Sequence, residues 1–211
     1  TPAQKIGILN FASATKPGGG FLNGARAQEE SIARSSSLYL SLTTPTARPF
    51  YDIHKKLEKD AERASTSRDN NFKGQLKGMY THMMIYSPSV VLFKDDEGQW
   101  TKPLSVEVVT SPAVNAGEVR KAFAARAAAN PSAPAVSSQE VESLILSVMQ
   151  ERMARVLALF EANSIRHVVL GSFGTGVFQN DVESIAGIWR EFLMGSQARF
   201  KDSFDSVVFA I

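Results

Sequence analysis

Apolar positions along the chain switch between a strand-like and a helix-like period, and the switches outline the elements. Lys5 to Phe11 is a short apolar run followed by turn-forming residues and reads as a buried strand. Ala12 to Gly24 is a loop. Ala25 to Leu42 reads as one helix, whose first turn carries Glu29 and Glu30 at the positive end of the helix dipole. Pro49 opens a second helix, running to about Ala64, with the charge-rich Lys55 to Arg63 as a solvated face. Ser65 to Gly78 is polar and irregular and reads as an exposed loop. From His82 the period is that of strands: Met83 to Tyr86, Ser89 to Phe93 and Leu104 to Thr110, rich in Val, Ile and Tyr. Asp95-Asp96-Glu97-Gly98 is a hairpin turn; its carboxylates lack the ligand spacing of an EF-hand loop.

Ser111 to Asn115 ends the last of these strands as a loop. Gly117 to Ala129 is an alanine-rich helix and Asn130 to Pro134 a connector. A long helix spans Ser138 to Ala162. Its apolar residues, among them Val141, Ile145, Met149, Met153, Val156 and Phe160, fall on one face, as expected for packing on a sheet. Arg166 to Leu170 is a buried strand and Gly171 to Gln179 a second glycine loop. Asn180-x-x-Glu183 has the form of a capping box opening a helix to about Met194. Ser206 to Ile211 is a final strand. This order predicts a single α/β domain over residues 1–211, a mixed sheet covered by helices on both faces.

Composition narrows the chemistry. The 211 residues are 44% apolar, enough for a substantial core. Lys plus Arg number 23 and Asp plus Glu 21, too small a surplus to argue for nucleic acid binding by charge neutralisation. The absence of cysteine excludes disulfides, thiolate catalysis and cysteine-zinc sites. His54, His82 and His167 show no metal-ligand spacing, and no apolar run reaches the roughly 18 residues of a membrane span. No signal peptide is visible at Thr1. The expectation is an intracellular protein, cytoplasmic or nuclear, monomeric, without a metal or cofactor, and trimmed ahead of its first strand.

Two glycine loops carry the candidate chemistry. Gly18-Gly19-Gly20 cannot pack a core, and three successive glycines are entropically costly to order. Close approach of backbone to a ligand explains them better than a turn does. Glu29 and Glu30 follow at once. Adjacent helical residues diverge by about 100°, so these carboxylates cannot flank one bond as a conventional glycosidase pair does and must take different tasks. The second loop, Gly171-Ser172-Phe173-Gly174-Thr175-Gly176-Val177-Phe178, lies between a strand and a helix. It is neither a P-loop nor a dinucleotide GxGxxG. It reads equally as a phosphate cradle at a helix start or as a tight turn.

These blocks carry a family resemblance. Gly18-Gly19-Gly20, seven residues, then Gln28-Glu29-Glu30 is similar to the signature of the poly(ADP-ribose) glycohydrolases. Leu9 to Ala14 before it and Ser35-x-x-Leu38-Tyr39 after it resemble the microbial type of that enzyme. Thr110 to Gly117 and Leu170 to Asp181 resemble later blocks of the family. The resemblance implies a macrodomain, a three-layer α/β/α sandwich, with ADP-ribose in a cleft at the strand ends. It implies hydrolysis of the ribose–ribose O-glycosidic bonds of poly(ADP-ribose), free or on modified proteins, from chain ends. Glu30 would be the general acid and then the base, with a carboxyl raised by desolvation under the substrate. Glu29 would hold ribose hydroxyls, Gln28 would assist at the nucleotide and Asn10 would meet the terminal ribose. The Gly171 to Phe178 loop would take the diphosphate, with Phe178 near the ribose, and the Pro112 to Asn115 loop would line the cleft. Two positions depart from the pattern: Thr175 stands where cysteine is expected and Phe173 where tryptophan is frequent. Tyr51 to Thr81 is longer and more charged than in compact relatives, which bears on the cleft rim. The same cleft would also suit a non-catalytic ADP-ribose reader or a hydrolase of another ADP-ribosyl linkage.

Overall fold

The structure, a computed structural model, describes residues 5–66, 76–129, 131–132 and 136–211. Most of the loop read over Ser65 to Gly78 and most of the Asn130 to Pro134 connector lie outside the described residues, as do residues 1–4. The elements run β1 (Ile6–Phe11), α1 (Gln28–Ser35), α2 (Leu38–Leu42), α3 (Arg48–Thr66), β2 (Ile85–Lys94), β3 (Trp100–Ser111), α4 (Ala116–Ala129), α5 (Ser138–Ala162), β4 (His167–Gly171), α6 (Val182–Leu193) and β5 (Ser206–Ala210). They form one five-stranded sheet in the order β2-β3-β1-β4-β5. β1 is central and pairs in parallel with β3 and β4, β5 is parallel to β4, and β2 alone is antiparallel.

Strand alternation divides the core between the two faces. Leu9, Val109, Val168 and Leu170 join Ile145, Met149, Met153, Val156 and Phe160 of α5 and Ile185 and Trp189 of α6 in the larger cluster. Ile6, Ile8, Val106 and Val108 point to the other face, against Leu38, Leu42, Phe50 and Tyr51. The mixed sheet between helices, expected from the sequence, is therefore present. α5 starts at Ser137, whose Oγ accepts from Glu140 N while Glu140 Oε2 accepts from Ser137 N at 2.7 Å.

Three local expectations are corrected. The helix read over Ala25 to Leu42 starts only at Gln28 and breaks at Ser36 and Ser37. There the Ser36 hydroxyl donates to Ile32 O at 2.6 Å and accepts from Leu38 N. Ser37 exchanges main-chain and side-chain bonds with Val91 on the sheet edge. Serine offers the backbone these alternatives to a continuing helix. The strands read at Met83 to Tyr86 and Ser89 to Phe93 are one strand, β2, with a register shift between Ser87 and Val90 that accommodates Pro88 on an edge. Asn180 does not cap α6. Asp181 does, accepting from Ser184 N at 2.8 Å. Asn180 instead is buried and donates to Val114 O at 2.7 Å and Gly174 O at 2.9 Å, bracing two loops together.

One side chain of the α5 core face is a cation. Arg152 is fully buried and donates to Pro112 O at 2.9 Å, Met79 O at 2.8 Å and Tyr80 O at 3.3 Å. Burial pulls its guanidinium down to about 10, so it stays charged at neutral pH. Its task is to pin two loops that have no ladder of their own. Arg152→Ala leaves those carbonyls without a donor and opens a cavity, an expected loss of about 3–4 kcal/mol in urea unfolding. A loss below about 1 kcal/mol would show that the loops hold without it.

Candidate active site

A cavity of about 690 Å³ opens where β1, β4 and β5 end at their carboxyl ends, a size suited to a small-molecule ligand and the usual ligand position on an open parallel sheet. Its walls are Phe11 to Thr15, Ala27 to Glu30, and Ser172 with Gly174 and Gly176 to Phe178. Tyr80, Ala113, Ala210 and Ile211 complete them.

The acid pair is held by main chain. Glu30 Oε1 accepts from Gly20 N at 2.8 Å and its Oε2 from Ala27 N at 3.1 Å. The second bond is half of a capping box; alanine at the N-cap supplies no return bond. So the helix start that needs capping is also what aims the carboxylate. Gly19 makes this possible. Its φ is +61°, and a Cβ there would lie 2.9 Å from Glu30 Cδ and 3.2 Å from Glu29 Oε2. Glu29 sits deeper. Its Oε2 accepts from Ser13 N at 2.6 Å and its Oε1 from Asn10 Nδ2 at 3.4 Å. Burial pushes the Glu29 carboxyl from the ordinary 4.5 to about 8; bonds from Ser13 and Asn10 oppose this, and the neighbouring Glu30 adds to it.

A carboxyl raised in the folded state binds its proton more tightly there than in the unfolded chain. That stability is present below about pH 4.5 and is lost as pH rises towards 8. The expected loss is about 4–5 kcal/mol across that window. Glu29→Gln should flatten the thermal-unfolding profile between pH 5 and 8; an unchanged slope in that variant would place the effect elsewhere.

On the opposite wall the second loop turns on itself. Thr175 N donates to Ser172 O, Gln179 N to Gly176 O and Asn180 N to Gly174 O. The N–H groups of Gly176, Val177 and Phe178 have no acceptor among the described residues. Three successive free N–H groups in a loop that lines the cleft can form an anion-binding concavity. The helix dipole does not add to it directly, because α6 begins only at Val182, beyond its own Asp181 cap.

A family model described as the microbial-type PARG catalytic domain matches residues 1–95. The poly(ADP-ribose) glycohydrolase of Deinococcus radiodurans, solved in complex with ADP-ribose, is 38% identical with a TM-score of 0.73, over 99% of this chain and 69% of that one. The chain belongs to the microbial-type poly(ADP-ribose) glycohydrolase family. The enzyme of Thermomonospora curvata, bound to the inhibitor ADP-HPD, is 36% identical with a TM-score of 0.73, over 99% of this chain and 65% of that one. A comparison with curated proteins finds no match.

Within this glycohydrolase fold the residues singled out from the sequence separate into cleft and support. Gln28, Glu29, Glu30, Ser172, Gly174, Gly176, Val177 and Phe178 reach the cleft. Gln28 is also a strand cap: its Oε1 accepts from Phe11 N at 2.8 Å and its Nε2 donates to Leu9 O at 2.7 Å, which leaves little of the amide for a nucleotide. Asn10 is fully buried behind Glu29 and donates to Thr110 Oγ1 as well. Its direct partner is therefore Glu29 rather than a ribose. Gly18, Gly19 and Gly20 back the acids. Gly171 ends β4, and its carbonyl accepts from Trp189 Nε1. Thr175 turns its hydroxyl to Ser172 O.

Three expected lining residues are corrected. Phe173 is fully buried, packed on Phe11 with ring centroids 5.5 Å apart. Pro112 offers its carbonyl to Arg152, and Asn115 Oδ1 caps α4 at Glu118 N, so Ala113 alone of that loop lines the cleft. The structure adds Tyr80, which no motif announces. It sits at φ +53°, its ring between His54 and Phe178 at 5.8 and 6.1 Å. His54 accepts from Thr81 N at Nε2, so its Nδ1–H donates to Phe50 O, and burial holds its pKa below the ordinary value. That neutral, buried ring fixes the rim formed by Tyr80.

Proposed function

We infer that the protein is a poly(ADP-ribose) glycohydrolase that releases ADP-ribose by hydrolysing ribose–ribose O-glycosidic bonds. The observation that carries this is the pairing, in one cleft, of a backbone-held carboxylate with free loop N–H groups. The Gly176 to Phe178 amides suit a diphosphate, and Phe178 offers a face to a ribose. Membership of a family whose solved members bind ADP-ribose or ADP-HPD supports the same ligand.

Cleavage of the bond passes through an oxocarbenium-like state, and the leaving ribose oxygen needs a proton. In the free cleft burial raises the Glu29 carboxyl to about 8, so a proton is held beside Glu30. The two carboxyls are adjacent, so a proton held by one can pass to the other when substrate binds. Glu30, the shallower of the two and fixed by Gly20 and Ala27, delivers it to the leaving oxygen as the C1–O bond breaks. The resulting carboxylate takes a proton from water, whose oxygen bonds to C1. Glu29, when protonated, can both donate to and accept from ribose hydroxyls. No step requires a metal, and among the described residues no cluster of ligands stands ready for one. Attack from chain ends is the mode that the likeness to the microbial type supports. A time course on poly(ADP-ribose), resolved by chain length, tests this reading. Release of monomer with gradual shortening is expected; a burst of mid-length fragments would mean internal cutting, and an unchanged ladder would remove the activity.

A further inference from the structure

Residues 5–51 contain only two acidic side chains, Glu29 and Glu30, and both are buried in the cleft. The surface built by this stretch is therefore purely basic where it is charged. Lys16, Arg26 and Arg34 are all exposed on it, and none forms an ion pair among the described residues. Much of the rest of the surface is different. Arg120, Arg155, Arg166 and Arg199 each face a carboxylate.

Each of the three cations is tied to the loop that aims Glu30. Arg26 precedes Ala27, whose N–H holds Glu30 Oε2. Arg34 reaches back from α1 to donate to Ala25 O at 2.6 Å, and Ala25 N donates to Gly20 O, next to the N–H that holds Glu30 Oε1. The Lys16 carbonyl accepts from Gly19 N. The same loop exposes Leu22 at its tip, beside Phe21 packed edge-on to Tyr39 at 4.7 Å. Unpaired cations interleaved with apolar and aromatic groups are the chemistry that holds a nucleotide polymer.

We propose that Lys16, Arg26 and Arg34 form a leaving-side subsite that binds the diphosphate of the ADP-ribose unit beyond the scissile bond. This rests on the activity inferred above. The terminal unit lies in the cleft with its diphosphate on the Gly176 to Phe178 amides. Glu30 stands at the bond to the next unit, so the rest of the polymer leaves over the loop that holds Glu30. Each unit carries two phosphates, and a segment with no exposed carboxylate of its own attracts it. The subsite selects polymer over a single ADP-ribosyl group.

The test uses Lys16→Gln/Arg26→Gln, two exposed side chains without an ion-pair partner among the described residues; Arg34 is left in place because it braces Ala25. Steady-state kinetics on poly(ADP-ribose) and calorimetric titration with monomeric ADP-ribose are compared with wild type. The expected result is a 5- to 10-fold higher KM for polymer, kcat within twofold, and monomer affinity within twofold. The dependence of log KM on log salt should become shallower by about 1.5–2. Polymer KM and salt slope equal to wild type, with wild type active, would overturn the subsite alone. An equal loss of monomer affinity would also overturn it, by placing these cations in the terminal-unit site. Wild type inert on polymer would overturn the activity and the subsite with it.

Discussion

Glu30→Gln should lower the rate of ADP-ribose release roughly 10³- to 10⁴-fold while ADP-ribose affinity stays within about tenfold, or about 1.4 kcal/mol. The amide has the shape of the carboxyl but cannot deliver or take a proton. It also turns an NH₂ towards one of the two N–H groups, Gly20 or Ala27, that the carboxylate satisfies. One main-chain donor is then left without an acceptor, a cost of order 1 kcal/mol that appears in stability rather than in the chemical step. Monomer binding is spared on the proposed reading, in which the diphosphate is held by the opposite wall. Single-turnover release measured beside calorimetric binding separates the two. Full activity in this variant, with loss in Glu29→Gln, would transfer the acid role to Glu29, the carboxyl that burial lifts in the free cleft.

A second large effect is expected without touching a polar group. Gly19→Ala should cost roughly 10²- to 10³-fold in kcat. Two penalties combine at this position. An L residue at φ +61° costs about 1–2 kcal/mol. The added methyl also takes the space of the Glu30 carboxylate, which must swing off Gly20 and Ala27. A catalytic group displaced by about 1 Å loses about 10²-fold. Gly24→Ala is the control, with φ +84° but open space around its Cβ position. It shares the backbone strain and lacks the collision, so its melting temperature should fall with kcat retained. A Gly19→Ala enzyme with kcat near wild type would show that the carboxylate is not fixed by this loop.

What was legible in the sequence was whatever has a local cause. β1 is a short apolar run, and α5 is a long amphipathic period with a capping box, so both emerged within about a residue of the structure. Both glycine loops and the acid pair emerged because glycine and paired carboxylates are rare enough to be conspicuous. Errors arose where a residue serves a distant partner. Asn180 has the composition of a cap but braces Val114 and Gly174. Phe173 looks like a ligand contact and is core. Ser36 and Ser37 end a helix because β2 waits beside them. Arg152 left a signal that was not used: it falls in register with Ile145, Met149 and Val156, a charge on the core face of an amphipathic helix. Tyr80 left none, since its place depends on Arg152 and His54, 72 and 26 residues away in sequence.

The support around the acids explains why the site tolerates a strained loop. Gly20, Ala27, Ser13 and Asn10 orient two carboxyls from four directions, and each belongs to a segment anchored on β1 or α1. Gln28 joins the two anchors by bonding Leu9 and Phe11 from the first turn of α1. The cleft is thus organised from the central strand outward.

The most direct measurement is mass spectrometry of the products formed from purified poly(ADP-ribose) by the wild-type protein, with Glu30→Gln as the paired control. The expected result is ADP-ribose with a free C1 hydroxyl, accumulating with the wild type and absent with the variant. Intact polymer after incubation with wild-type protein that binds ADP-ribose normally would contradict it, and would make the cleft a reader of ADP-ribose rather than a hydrolase.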